Sequence, residues 1–528
     1  MSAPNDLLTE NATLRRDLDA KVREVADLDA KIAFLRHNLE VLRKMLFGPR
    51  SERRGPAAPD AAGQQLLALG ELVAHAEKAA AAQGVTAKVE VQPGTEKPKK
   101  AGRRSTFPAH LPVVRERVEL PEAARQCVCG HELKPMGEEV TRELERVEIS
   151  VVHETVRAKY ACPACREHVV TAPAPERVIE RGLLGPGFLA YVLNERFGNH
   201  MPYHRLEQKL ADEGLDLSRS VLCTSAGRCA ELLEPIVAQM KIEILQGGFV
   251  GTDDTGVSLQ KGSDGTSGRA HFWVFRDLDG RCVYDFTERR NAEGPARWLR
   301  GFKGYVQADA ANFYDSLYGP EGPTEVGCMA HARRKFVDAE STDPTFAREA
   351  IDRFRALYAV EQQATDAGLT PDERGRLRRE KSASAHAELF DWMERTRPLV
   401  LEQSPLGQAI GYAMRHRVAL SRYLEDGRLP IDNNSVERAL RRIAVGRNNW
   451  VNVGTEEGGH RAAVIYSLVQ TCREIGINPT EYLRDVLLRI STCSDVAKLT
   501  PHGWAKHFMA EVHAQRRQAL AHVTLAPR

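Results

Sequence analysis

The chain has 528 residues, of which 42% are hydrophobic and 28% charged; at about 150 residues per domain, that is material for roughly three or four domains with sizeable cores. Lys+Arg 74 against Asp+Glu 72 gives a formal net charge of only +2, so binding to a polyanion cannot rest on global charge and must come from local basic patches. No apolar run approaches the roughly 18 to 20 residues of a membrane span, and the polar start lacks a hydrophobic signal core. The expected setting is therefore cytoplasmic, away from any membrane, where ten cysteines with four of them in two close pairs favour metal over disulfides.

Residues 1–50 carry one period. Leu7, Leu14, Leu18, Val25, Leu28, Ile32, Leu35, Leu39, Leu42 and Leu46 fall in one register of threes and fours, the a/d seam of a coiled coil. Asn11 and Lys21 sit on that seam, where a polar residue costs stability and limits the acceptable helix alignments. An amphipathic helix folded back on its own domain would show the same pattern. Gly48-Pro49 ends it. Residues 51–105, rich in Ala, Gly, Pro and Lys, read as a flexible basic linker. Lys97, Lys99, Lys100, Arg103 and Arg104 at its end could lie along phosphates or simply be solvated.

Residues 106–180 form a small module in which Cys127/Cys129 and Cys162/Cys165 bracket the alternating stretches Val147 to His153 and Thr155 to Tyr160. Residues 181–245 turn helical. A helix around Tyr203 to Glu213, a Gly214 turn and a helix after Ser218 resemble a helix-turn-helix, a DNA-binding device, although plain bundles also place short helices around a Gly.

From 246 to 344 the period changes again. Phe249 to Val257, His271 to Arg276 and Cys282 to Thr287 read as consecutive strands, with Asp279-Gly280 as a turn. A helix at Ala292 to Arg300, a strand at Gly304 to Ala308, a helix at Asn312 to Leu317, a strand at Thr324 to Cys328 and a helix from Ala330 follow. Three strands and then alternating helix and strand is the order of an RNase H-like α/β core. Residues 345–428 are charged and helical, too long for a loop, and read as a helical insertion. Residues 429–490 complete the core, and 491–528 are a C-terminal tail. The fold class expected is multidomain α+β.

Three acidic positions fall where such a core would gather them: Asp253 in the first strand, Asp309 at the end of the fourth, and Glu437 after the insertion. The first and fourth strands of that core are neighbours, so their carboxylates can face one another. Converging carboxylates repel unless cations bind among them, and hard oxygen ligands suit Mg²⁺. The chemistry that follows is metal-dependent phosphoryl transfer on nucleic acid, with no protein nucleophile required. Each position also has a plain reading. Asp253 or Asp254 could merely end a strand, and alternation lets only one face the site. Asp309 could cap a helix. Asn434-x-x-Glu437 resembles a capping box. Arg438, Arg441, Arg442, Arg447 and Asn448 after that Glu suit phosphate contact, the alternative being pairing within the helix, such as Glu437 with Arg441.

The chain resembles transposases of the insertion-sequence-66 (IS66) family over nearly its whole length. The matching blocks include Lys44 to Glu52, Phe107 to Pro112, Asp253-Asp254-Thr255, Cys328 to Phe336, Asp432 to Arg438 and Gly446 to Trp450. The resemblance implies a transposase of the DDE type in which Asp253, Asp309 and Glu437 hold Mg²⁺ or Mn²⁺, cut the element's 3′ ends and join them to target DNA. It selects Asp253 over Asp254. Gly256 stands where the family usually has Pro, a departure that touches strand exit and not the ligands. The resemblance also implies a structural Zn²⁺ on Cys127, Cys129, Cys162 and Cys165; the single residue between the first pair strains the usual turn, so His131 could replace one thiolate. Cys328 reads as packed core, and His331 as lining the cleft or packing beneath it. Arg333, Arg334 and Lys335 could meet DNA or be a solvated face. Expected partners are the element's terminal inverted repeats, target DNA, a second copy in a homodimer or larger synaptic assembly, and small accessory proteins of the same element. The expected location is the bacterial cytoplasm, on the nucleoid when bound. Two other readings stay open: a nuclease on the same core, and a transposase-derived DNA-binding protein without catalysis.

Overall fold

The computed structural model describes residues 177–261, 265–309 and 312–521, together with Lys21 and short stretches at 150, 152, 154–161 and 169–171. The expected coiled coil, the linker and the four paired cysteines with His131 lie outside the described residues. Contacts divide the chain into one unit of Met1–Leu46 with Thr155–Gln515 and another of Phe47–Glu154 with Arg516–Arg528. The elements below belong to the first. It is α-rich, with a mixed sheet. Among the described residues no helix is long and apolar enough to cross a membrane.

A two-stranded ribbon, β1 (Lys159–Ala161) and β2 (Val169–Thr171), pairs antiparallel. The main sheet contains β3 (Phe249–Lys261), β4 (Gly268–Arg276), β5 (Cys282–Thr287), β6 (Tyr305–Gln307) and β7 (Thr324–Val326) in the order β5-β4-β3-β6-β7. β3, β4 and β5 are antiparallel neighbours, whereas β6 and β7 run parallel to β3. The first and fourth of these strands are adjacent, as the sequence led us to expect. β4 is buried on both faces through Ala270 to Phe275, which is why its sequence lacks the polar-apolar alternation of a half-exposed strand.

β3 departs from the expected length. It continues past Gly256 to Lys261, pairing with β4 as far as Leu259. Its outer half also pairs in parallel with β8 (Asn452–Thr455), a strand the sequence did not suggest. The chain therefore does not leave the sheet at Gly256. A Cβ there would meet the Arg269 guanidinium, with Nε at 2.3 Å, so the glycine gives that side chain room across the strand.

β5 lies at the end of the main order, where its outward N–H groups would have no strand to bond. The helix Glu456–Glu474 covers them. Tyr284 N donates to Ser467 Oγ (2.8 Å) and Cys282 N to Thr471 Oγ1 (2.9 Å); the two hydroxyls are four residues apart and so share one helix face. The same helix approaches closely because Gly459 has no Cβ, which would sit 2.5 Å from the Phe286 ring. Phe272, Phe286 and Tyr466 pack there edge to face.

The region 181–245 does contain the helix Tyr203–Asp212, a Gly214 turn with φ +82°, and a second helix capped by Ser218. That second helix is a single span, Arg219–Gln246, of 28 residues. Its first turns join Val192, Leu206, Leu210 and Leu222 in a small core, and its later turns bury Leu233, Ile236, Met240 and Ile244 in the main core.

The insertion is helical, and its Phe354, Phe390 and Trp392 pack with Phe336 of the helix before it in a second core that also takes in Phe249 of β3 and Val326 of β7. It is held at its neck. Gln307, fully buried at the end of β6, donates from Nε2 to Gly327 O (3.1 Å) on the outgoing chain and Pro430 O (3.0 Å) on the returning one. Met329 N bonds Ile431 O (3.1 Å) across the same neck. A long excursion thus leaves and rejoins the sheet beside Asp309 without loosening it. The segment from 491 differs from the tail expected there: Leu499, Trp504 and Val512 are buried in the main core.

Candidate active site

The β3–β6 register pairs Gly251 with Gln307. Asp253 stands two residues further along β3, and Asp309 two residues past the end of β6. Glu437 arrives on the helix Asn434–Trp450, which packs on β3 through Val436, Ala439, Leu440 and Ile443. This packing depends on Gly251. A Cβ there would lie 2.6 Å from Val436 Cγ2, closer than real side chains come. Asn433, fully buried just before the helix, donates from Nδ2 to Thr252 O (3.0 Å), and its own N–H bonds Cys328 Sγ (3.2 Å). The helix start is thereby fixed to the strand one residue before Asp253. Sequence reasoning missed Asn433 and Gln307 as positioning residues, since an Asn before a helix reads simply as a cap. Cys328 is 2% exposed, the packed residue expected.

The capping box that is the plain alternative for Glu437 does not form. Asn433, not Asn434, occupies the N-cap, without a side-chain cap bond. Glu437 instead faces His331 Nε2 (3.6 Å) and Arg334 NH2 (3.5 Å), contacts longer than hydrogen bonds. Its Oε1 is buried with no hydrogen-bond partner. His331 lines the cleft, partly buried, and burial lowers its pKa.

Asp253 and Asp254 separate cleanly. Asp254 is 4% exposed and accepts from His271 Nδ1 (2.7 Å) and Arg290 Nε (2.9 and 3.1 Å). Asp253 accepts one backbone bond, from Asp254 N (2.7 Å). Burial pushes its carboxyl up to about 7, and the charges of Asp309, Asp254 and Glu437 push the same way against that backbone bond. Asp309 and Glu437 are therefore within electrostatic reach of Asp253. Among the described residues no three His, Cys, Asp or Glu side chains are gathered tightly enough to enclose one ion; the carboxylates border a shared cleft without closing on a point. The donor set fits a hard cation all the same, with an unbonded buried carboxylate oxygen on Glu437 and a carboxyl on Asp253 held against ionisation.

A pH dependence follows. Folded, Asp253 keeps its proton up to about pH 7, whereas the unfolded chain releases it near the usual 3.8. The folded state binds more protons between those values, so this group's contribution to stability falls as pH rises through that window. Without divalent cations, the apparent urea midpoint should drop between pH 5 and 7.5, and Asp253→Asn should flatten the drop. An equal drop in the variant would assign it to other groups.

The basic residues divide by face. Arg438, Arg441 and Asn448 share an exposed stripe of the Glu437 helix. Two of the expected DNA contacts lie against other parts of the fold. Arg447 turns inward to hold β3, donating from NH1 to Thr255 Oγ1 (3.0 Å) and Gly256 O (2.5 Å). Arg442 faces inward too, close enough to His200 and Arg473 to lower the pKa of each. Gly446 and Trp450 of the same sequence block are structural. A Cβ on Gly446 would meet His200 Nδ1 at 2.9 Å, and Trp450 lies under the Arg196 guanidinium at 5.3 Å. Arg334 reaches Glu437, Lys335 stands over the Tyr412 ring at 4.6 Å, and Arg333 is partly buried.

Comparison with known families finds four matches along the chain. Residues 181–461 match the model described as Transposase IS66 family. Residues 35–115 match Transposase C of IS166 homeodomain, 124–166 the zinc-finger binding domain of transposase IS66, and 467–502 the IS66 C-terminal element. Similar proteins in Sinorhizobium fredii (strain NBRC 101917 / NGR234) include uncharacterized protein y4hP, 32% identical over 510 residues, covering 91% of this chain and 90% of that protein. Uncharacterized protein y4qI is 32% identical over 525 residues, covering 93% and 94%.

Proposed function

The chain belongs to the IS66 family of transposases, and on that premise we propose that it is a DDE transposase that cuts the 3′ ends of its element and joins them to target DNA. What supports this reading is the neighbourhood of Asp253 on β3, Asp309 just past β6 and Glu437 on the helix after the insertion: the charges of Asp309 and Glu437 act with burial to raise the Asp253 pKa, and Arg290 lies against both Asp254 and Asp309. The sheet order, with β3 central between antiparallel and parallel neighbours, supports an RNase H-like core.

In this reading the three carboxylates hold Mg²⁺ or Mn²⁺. Divalent cations bound there supply polarisation of the scissile phosphodiester and charge for the leaving oxygen. The chain's own part is positional. Asp253 gives up its proton to become a ligand; Glu437 presents Oε1, which no protein donor occupies; Asn433 and Gln307 hold the two elements that bring Glu437 and Asp309 to Asp253. The nucleophiles are water for end cleavage and the freed 3′-hydroxyl for joining, so no side chain is acylated or phosphorylated. Arg438, Arg441 and Asn448, continuing outward from Glu437, suit the phosphates of a duplex laid along that helix.

The remaining parts of the reading rest on sequence. Cys127, Cys129, Cys162 and Cys165 fall in the zinc-finger match and would hold a structural Zn²⁺. The leucine register of residues 1–50 would join two copies, so that both element ends are held in one assembly in the bacterial cytoplasm.

The test uses the full chain, labelled duplexes bearing the inverted repeats that flank its gene, a plasmid target and Mg²⁺ or Mn²⁺. Joined product is expected. Cleavage without joining would replace this reading with a nuclease, and binding without cleavage with a DNA-binding derivative.

A further inference from the structure

Asp254 lies next to Asp253 in the strand but faces the other way, and what it holds is more informative than its charge. Its two oxygens accept from His271 Nδ1 and, on both, from Arg290 Nε. At 4% exposure it is closed to solvent and already satisfied, which suits a brace and not a cation ligand. Arg290 is held from behind as well. Trp273 Nε1 donates to Thr287 Oγ1 (2.8 Å), and that hydroxyl donates to Arg289 O (2.8 Å). The loop leaving β5 is thus pinned one residue before Arg290.

The guanidinium so braced through Nε carries its NH2 to the cleft. Its NH2 is 3.6 Å from Asp309 Oδ2, and the side chain is 44% exposed. That distance gives attraction without a hydrogen bond. A planar cation fixed through Nε, with its terminal nitrogens beside an acidic cleft, has the geometry for recognising phosphate oxygens through a fork of donors.

We propose that Arg290, braced by Asp254, is a phosphate-binding residue of the active site: it offsets the Asp309 charge in the bare cleft and turns to a DNA phosphate once cations hold that carboxylate. The inference rests on the transposase reading. Its logic is competition, since Arg290 and a divalent cation draw on the same carboxylate. When the cation takes Asp309, the attraction on NH2 falls and the incoming phosphate replaces it. Asp254 keeps the side chain in place through the exchange.

The test uses the full chain as parent, Arg290→Gln and Arg290→Lys. Gln removes the charge but can still donate to Asp254, which protects folding. Mn²⁺ binding without DNA is measured by paramagnetic resonance. Binding of an end duplex in Ca²⁺ is measured across a range of NaCl. Arg290→Gln should bind Mn²⁺ about two- to fivefold more tightly than the parent, the factor an exposed ion pair is worth. It should also lower the slope of log affinity against log salt by about 0.9, the value of one phosphate contact. Arg290→Lys should restore both. Unchanged Mn²⁺ affinity or an unchanged salt slope in Arg290→Gln, or a Lys variant that behaves like Gln, would overturn the proposal. A parent that bound neither Mn²⁺ nor duplex would instead strike the transposase reading itself.

Discussion

Conversion of Asp253 or Asp309 to Asn, or of Glu437 to Gln, one at a time, is expected to lower end cleavage and strand transfer by about a thousandfold or more, a loss of roughly 4 kcal/mol or more of transition-state stabilisation. Each amide keeps the shape of the side chain and removes the charge that would hold a hard cation. The effect should fall on chemistry and not on assembly, because each amide keeps the volume of the side chain it replaces. Glu437 has long contacts to His331 and Arg334, and the Asp253 carboxylate accepts from its neighbour's N–H. End-duplex binding in gel-shift should therefore survive. Asp254→Asn is the informative contrast. It weakens the brace on His271 and Arg290, so it should lower thermal stability and salt-dependent DNA affinity while leaving measurable joining. If the three amide variants joined ends as well as the parent, the assignment of this cleft as the reaction centre would be wrong.

The legible parts of this molecule are those fixed by short-range pattern. β4 and β5 announce themselves through apolar runs and a Gly turn, and the order of strands places Asp253 beside Asp309 with no knowledge of any contact. Spacing alone leaves Asp253 and Asp254 equivalent; what distinguishes them is the engagement of Asp254 by His271 and Arg290, which come from β4 and the loop after β5. Asn433 is similar: its partner, Thr252 O, lies 181 positions away, and nothing local distinguishes it from a helix cap. Arg447 misled for the converse reason. A cation following an acidic residue on a helix looks like a phosphate contact, yet helical geometry turns it toward β3, where the free oxygens of Thr255 and Gly256 take it. β8 is four residues long with a glycine inside, too short to show a period, and forms because β3 offers it an unpaired edge beyond Val257.

Trp504→Ala should cost about 3–5 kcal/mol of stability, the range for emptying a large aromatic site, and should reduce soluble full-length protein although the residue lies far along the chain from any carboxylate of the cleft. The reason is how the segment after 490 is built into the core. Trp504 is fully buried, its ring edge-to-face with Tyr482 at 5.7 Å, and its Nε1 donates to Asp485 Oδ2 (2.8 Å). Tyr482 in turn donates to Leu499 O (2.7 Å). Truncation would leave a cavity and remove one of the two donors to Asp485 Oδ2, which Arg489 Nε still meets at 2.7 Å, so the cavity carries most of the cost and the lost indole bond adds a smaller part. Trp504→Phe separates the two: it retains most of the volume and loses only the donor, so it should fall between parent and Ala. Urea unfolding followed by tryptophan fluorescence reads the order. An Ala variant within about 1 kcal/mol of the parent, which is the ordinary scatter of surface substitutions, would mean that this segment is an appendage and that the cleft is supported without it.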